Sequence, residues 1–126
     1  MHTPQRIQLH KKSNRLELAY GEKVFQLSAE YLRVHSPSAE VKGHGPGQEV
    51  LQHGKINVGI DKIEPMGNYA IRIVFNDGHD SGIYSWEYLY DLGDNQDAHW
   101  QAYLDRLNKA GKSRDATESA VKFIQP

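Results

Sequence analysis

The sequence contains no cysteine. That removes disulfide frameworks, thiolate nucleophiles, iron–sulfur ligation by this chain and every zinc site that needs sulfur. Charge of one sign is also scarce. With 15 Lys+Arg against 16 Asp+Glu, the formal net charge is -1, so there is no overall cationic field of the kind that phosphate-backbone binding uses. Nucleic acid is not an expected partner. No apolar run approaches ~18 residues, and the first residues lack the hydrophobic stretch of a signal peptide, so a cytoplasmic protein with no membrane partner is expected. What is present is 126 residues, 38% of them hydrophobic, which suits one compact domain able to bury roughly two thirds of its unfolded surface.

The periodicities predict an α+β fold. Ile7 and Leu9 alternate with polar neighbours, and Leu16, Leu18 and Tyr20 do the same, which is the pattern of half-buried strands. Gly21-Glu22 turns the chain into Lys23–Leu27, so residues 6–27 form a meander. Ser28 caps a short helix over Ala29–Val34, which must stop by Ser36 because Pro37 pushes its predecessor out of the helical region. Residues 42–54, rich in glycine and carrying a proline, read as an exposed loop. Beyond it Ile56, Val58 and Ile60 alternate, the phase slips before Ile63, and a turn at Pro65–Asn68 leads into a strand with Tyr69, Ile71, Ile73 and Phe75 on one face. Asn76-Asp77-Gly78 turns the chain again, and His79–Tyr84 returns antiparallel. Ser85 caps a helix over Trp86–Leu92 with Gly93 as its stop, and Asp94 or Asn95 caps a second helix with a Trp100, Tyr103, Leu104 and Leu107 stripe, ended by Gly111. The expected architecture is two antiparallel meanders forming a small sheet-rich core, a short helix in the middle and one or two C-terminal helices. A single domain covers 1–111, residues 112–126 are a polar tail expected to be flexible, and no internal repeat is evident.

No motif in the chain completes a catalytic set. The seven histidines show neither His-Glu-x-x-His nor a His-x-Asp element, so any metal site must assemble from separated residues: His35, His44 and His79 with Asp77 or Asp80. Gly43-His44-Gly45-Pro46-Gly47 lacks the Lys-Ser/Thr ending of a phosphate loop, and Pro46 has no amide to donate. Asp77-Gly78-His79-Asp80 sets two carboxylates beside an imidazole, although Asp-Gly is common in hairpin turns for conformational reasons alone. None of the serines stands in a Gly-x-Ser-x-Gly elbow, which leaves serine-hydrolase chemistry unsupported. Tyr84, Trp86, Tyr88 and Tyr90 supply aromatic surface near a strand–helix junction, and with Arg33 they are the candidate interaction surface, beside the plainer reading that most of the aromatics are core.

The strings Gly67-Asn68-Tyr69-Ala70, Phe75-Asn76-Asp77-Gly78-His79 and Ser81-Gly82-Ile83-Tyr84-Ser85-Trp86-Glu87-Tyr88-Leu89, with Tyr31–Val41 upstream, resemble the gamma-butyrobetaine-hydroxylase-like N-terminal domain, formerly the unknown-function family DUF971. The resemblance spans about Ile7 to Leu92 and implies a small, strand-rich α+β module. Such modules occur alone in bacteria, ahead of an oxygenase domain in carnitine-pathway hydroxylases, and behind iron–sulfur carrier proteins in plants. In the family's metal-binding members a Cys-x-Cys-x-x-Cys cluster and a histidine hold zinc. By that resemblance the ligand positions fall here on Ser36, Ser38, Val41 and His79, so three of four are replaced. No cofactor is expected, and zinc or iron enters only as a property inherited with the family. The hydroxylase's iron and 2-oxoglutarate ligands belong to a separate, larger domain and map onto nothing here.

The leading expectation is a non-catalytic binding or accessory module that contacts another protein, forms a homodimer, or both, linked by family association to iron–sulfur carrier or oxygenase systems. The alternative is a metal-binding protein or metal-dependent enzyme built on His35, His44, His79 and a nearby carboxylate. A third is a small-ligand pocket under the 42–54 loop.

Overall fold

A computed structural model describes residues 2–116. The chain runs β1 (Arg6–His10), β2 (Arg15–Tyr20), β3 (Lys23–Ser28), α1 (Ala29–Val34), α2 (Ala39–Lys42), β4 (Ile60–Met66), β5 (Ala70–Phe75), β6 (Gly82–Ser85), α3 (Trp86–Asp94) and α4 (Gln96–Ala110). Two separate three-stranded antiparallel sheets, β1-β2-β3 and β4-β5-β6, confirm the α+β expectation. The slip expected before Ile63 is a register shift between Ile60 and Lys62 in the β4–β5 pair. Pro65 lies within β4, which it can do because β4 is an edge strand and that position needs no ladder donor.

The two halves repeat each other. Each is three strands followed directly by a helix, and Ser28-Ala29-Glu30-Tyr31-Leu32 is matched by Ser85-Trp86-Glu87-Tyr88-Leu89. Both serines cap, accepting from the backbone N–H of Tyr31 and of Tyr88, at 3.1 Å in each case. The tyrosines then exchange partners. The Tyr31 hydroxyl donates to the Leu92 carbonyl at 2.6 Å, and the Tyr88 hydroxyl donates to the His35 carbonyl at 2.5 Å. Leu92 follows Tyr88 by the same spacing as His35 follows Tyr31, so each helix satisfies a carbonyl near the other's end. An internal repeat is therefore present, contrary to the sequence reading.

Between the sheets and under α1 and α3 lies one apolar cluster. Leu16, Leu18, Leu27, Leu32, Ile73, Tyr84 and Leu89 are each 0% exposed within it. Packing beside it is a second cluster, Val34, Tyr103 and Leu107, which docks α4 with its expected apolar stripe. Tyr69 departs from the predicted strand face, because β5 begins at Ala70 and Tyr69 stays in the preceding turn.

Gly93 does not stop a helix. It lies inside α3, which runs on to Asp94, and a Cβ there would come within 2.4 Å of the Phe25 ring. The residue is small because β3 packs on the helix at that point. Replacing Gly93 by Ala is expected to cost about 1–3 kcal/mol by displacing Phe25, despite alanine's better helix propensity. Urea denaturation of the variant measures this, and a variant as stable as the parent contradicts the packing.

The segment after Gly111 is tied down as far as it is described. Ser113 and Arg114 accept backbone bonds from Gly54 and Ile56, at 2.8 and 3.1 Å. The Arg114 guanidinium forks onto the buried Glu30 carboxylate at 2.8 and 2.7 Å. Ser113 and Arg114 are thus bonded to the body of the domain, and residues 117–126 of the expected tail lie outside the described residues. No helix among the described residues is long and apolar enough to cross a membrane.

Candidate functional site

The end of α1, the Ser36-Pro37-Ser38 corner and the β5–β6 connection meet at one place. Pro37 ends the first helix, and Ser38 starts α2 by accepting from the Glu40 amide at 3.2 Å. Ser36 Oγ and His79 Nε2 are hydrogen-bonded at 2.8 Å, and the Ser38 amide donates to the same hydroxyl at 3.3 Å. Next to them the Ser38 and Ser81 hydroxyls are 2.7 Å apart, and Ser81 donates to Glu40 Oε1 at 2.8 Å. A chain of side-chain hydrogen bonds thus staples α2 to the β5–β6 connection.

Asp77 organises the flank. It takes the Arg33 Nε donor at 2.9 Å, Lys55 Nζ at 2.8 Å and the His79 amide at 3.2 Å. Burial raises the Asp77 carboxyl, but Lys55, the His79 amide and Arg33 together outweigh it and hold the group at about 2. His79 is 4% exposed, and burial followed by the Arg33 charge pushes its imidazole below the ordinary value. Its Nδ1 has no hydrogen-bond partner, and the nearest carboxylate oxygen, Glu40 Oε2, stands 3.6 Å away.

Ser36, His79 and Glu40 therefore form a serine–histidine–carboxylate series that the sequence reading missed, because no elbow motif announces it. The series is not placed for nucleophilic chemistry. Ser36 is 0% exposed, and a Cβ on Gly82 would come within 2.6 Å of its Oγ, so the backbone of β6 occupies the space an electrophile would need. Its evident role is structural, a clamp closing the corner.

The resemblance places zinc at Ser36, Ser38, Val41 and His79, and the fold does bring the first two and His79 together. The donors do not fit that ion. Two are neutral hydroxyls engaged in hydrogen bonds, one is the side chain of buried Val41, and the imidazole Nε2 is committed to Ser36. The wider set of His35, His44 and His79 with Asp77 or Asp80 is not brought together either. His35 Nδ1 bonds the Tyr31 carbonyl at 2.8 Å, its ring packs against His99 and Tyr103, and His44 is exposed on its loop. Among the described residues, no three His, Asp or Glu side chains form a group able to hold a metal ion.

The candidate interaction surface also changes. Tyr84 is fully buried, with its hydroxyl donating to the Leu32 carbonyl at 2.5 Å, and Arg33 is 7% exposed under Asp77. Both belong to the interior, because β6 turns Tyr84 inward and Asp77 draws Arg33 under the turn. Tyr88 is half-buried against α1. Outward at that junction stand Tyr69, 65% exposed, and Ile83, 43% exposed, beside half-buried Trp86, whose amide donates to the Tyr69 carbonyl at 2.9 Å.

A separate cleft of about 490 Å³ opens between α1–α2 and α3–α4, walled by the 49–52 segment of the glycine-rich loop. That wall is fixed: Val50 N–H donates to the Val41 carbonyl at 2.8 Å, and the Tyr103 hydroxyl donates to the Gln52 carbonyl at 2.8 Å. His35 faces this cleft rather than His79. Burial, set against its bond to Tyr31 and reinforced by His99, Arg106 and Lys42, lowers the His35 imidazole to about 4.

Residues 7–90 match the family model described as gamma-butyrobetaine hydroxylase-like, N-terminal. Two solution NMR structures are similar throughout. One is 56% identical, covers 94% of each chain and has a TM-score of 0.83; the other is 50% identical, covers 90% of this chain and 86% of its own, and has a TM-score of 0.77. A crystal structure of a DUF971-family protein of unknown function from Acidithiobacillus ferrooxidans ATCC 23270 is 32% identical over 72% of this chain and 92% of its own, with a TM-score of 0.60. No curated protein matches. With its clamp at the positions that the resemblance gave to zinc, the chain belongs to the gamma-butyrobetaine hydroxylase-like N-terminal family.

Proposed function

We propose that this chain is a non-catalytic accessory module that works by contacting another protein, including a second copy of itself. The observation that carries the reading is the exposure of two large apolar side chains on the second sheet, Tyr69 in the turn before β5, bonded through its carbonyl to the Trp86 amide, and Ile83 on edge strand β6. Tyr69 is the most exposed of the chain's large hydrophobic side chains among the described residues, and tyrosine and tryptophan are the residue types that most often carry binding energy at protein interfaces. The groups with acid–base or nucleophilic potential, Ser36, His79 and Asp77, are meanwhile engaged in the internal clamp. Association of the family with oxygenases and iron–sulfur carriers supplies the class of machine such a module would serve.

Tyr69→Ser combined with Ile83→Lys alters only exposed positions and is expected to change stability by less than about 1 kcal/mol. Sedimentation of the purified protein, together with crosslinked capture from cells, is expected to show a dimer or a defined partner with the parent chain, and its loss in the double variant. Association that survives both substitutions overturns this surface, and a monomer that captures nothing overturns the reading itself.

A further inference from the structure

We propose that the cleft between α1–α2 and α3–α4 is a binding site for a small organic carboxylate with an apolar body, bound head-first by Lys42 and Arg106. The site is independent of Tyr69 and Ile83. Its volume, about 490 Å³, falls in the range of about 300–1,000 Å³ typical of small-molecule sites. It is also preformed, because its loop wall is held by hydrogen bonds to the Val41 carbonyl and from the Tyr103 hydroxyl rather than left to close on a ligand.

The chemistry of the lining selects the ligand class. Val34, Val41, Leu92 and Tyr103 are buried side chains that give the cleft an apolar floor. At its rim the carboxylates are already engaged: Asp91 accepts from Asn95 at 2.8 Å and pairs with His99 at 3.0 Å, and Glu49 accepts from the Gly47 amide. The cations are not. Neither Lys42 nor Arg106 has a carboxylate partner among the described residues, although both line the cleft. Lys42 is steered over the Tyr88 ring, 5.1 Å from its centroid, which holds the ammonium at the mouth. Burial, and after it the fields of Arg106 and Lys42, keep the His35 imidazole neutral, so the anion-attracting charge of the cleft rests on Lys42 and Arg106. Two cations with no carboxylate partner among the described residues, above an apolar floor, match a ligand with one anionic head and a hydrocarbon or aromatic tail.

The test is a ¹H–¹⁵N NMR titration of the full chain at neutral pH with hexanoate and phenylacetate, each against its primary amide. The expected result is saturable shifts at Leu51, His99 and Arg106 with at least one carboxylate, and binding of its amide weaker by about tenfold or more. Lys42→Gln with Arg106→Gln is expected to weaken the carboxylate by a similar factor while the melting temperature stays within about 2 °C of the parent. Amides binding as well as acids, carboxylate affinity indifferent to the double variant, or no shift from any of the four probes would each overturn the proposal. Loss of self-association or partner capture on mutating Tyr69 and Ile83 bears on the proposed function alone.

Discussion

Gly82→Ala is expected to destabilise the protein by about 2–6 kcal/mol, a large effect for one added methyl group. The added carbon would stand 2.6 Å from Ser36 Oγ and 3.1 Å from the Tyr84 ring. Tyr84 is locked by its bond to Leu32, so the hydroxyl is what must move. Moving it breaks the 2.8 Å bond to His79 Nε2, which lies at a position 4% exposed and has no other partner for that nitrogen. Overpacking costs about 1–3 kcal/mol and an unsatisfied buried polar atom about 1–3 more. The two contributions are separable by a double-mutant cycle. Ser36→Ala alone forfeits the bond, but it also vacates the space that the new methyl group needs. In that background Gly82→Ala is expected to cost less than about 1.5 kcal/mol, a coupling that strictly additive costs would refute.

Lowering the pH from 7.5 to 4.5 is expected to remove about 2–3 kcal/mol of stability through His35 alone. Its imidazole titrates at about 4 in the folded chain, against an ordinary value near 6.5. A histidine with a depressed folded value binds fewer protons folded than unfolded. Its stabilising contribution is therefore full above about 6.5, falls as the pH drops through that value, and is gone below about 4. His79 is shifted in the same direction by burial and Arg33, which deepens the loss. Asp77, held at about 2, adds a further decline only below its ordinary value near 3.8. Urea denaturation at the two pH values reads the effect. His35→Gln, which keeps a donor for the Tyr31 carbonyl, is expected to flatten most of the slope between them, and an unchanged slope refutes the assignment.

Much of the fold was legible because its signals are local. Ser28 and Ser85 announce helix starts by side chain alone, and the strands keep their two-residue period. What escaped depended on long-range contacts. Gly93 reads as a helix stop until Phe25 is seen against it, and Tyr84 stands among the interaction-surface candidates until β6, paired with β5, turns it into the core. Helix α2, four residues long, is too short to show a period. The repeat was present in two copies of Ser-x-Glu-Tyr-Leu, but the surrounding strands share too little to extend the match. At the site, neither the elbow pattern nor metal-ligand spacing could reveal the Ser36–His79 clamp. Only the family resemblance put those two positions side by side, and it did so as ligands rather than as hydrogen-bond partners. The cleft had no signature beyond a glycine-rich loop, since its floor and its cations come from four separate helices.

Hydrogen bonds, rather than the zinc that the family resemblance implies, close the corner at Ser36, Ser38 and His79. The most direct measurement is the melting temperature of tag-free protein in EDTA and in equimolar zinc, for the parent and for His79→Ala. The expected result is one melting temperature for the parent under both conditions, and a lower one for the variant that is equally blind to metal. A parent stabilised by zinc, with that gain lost in His79→Ala, would contradict the claim.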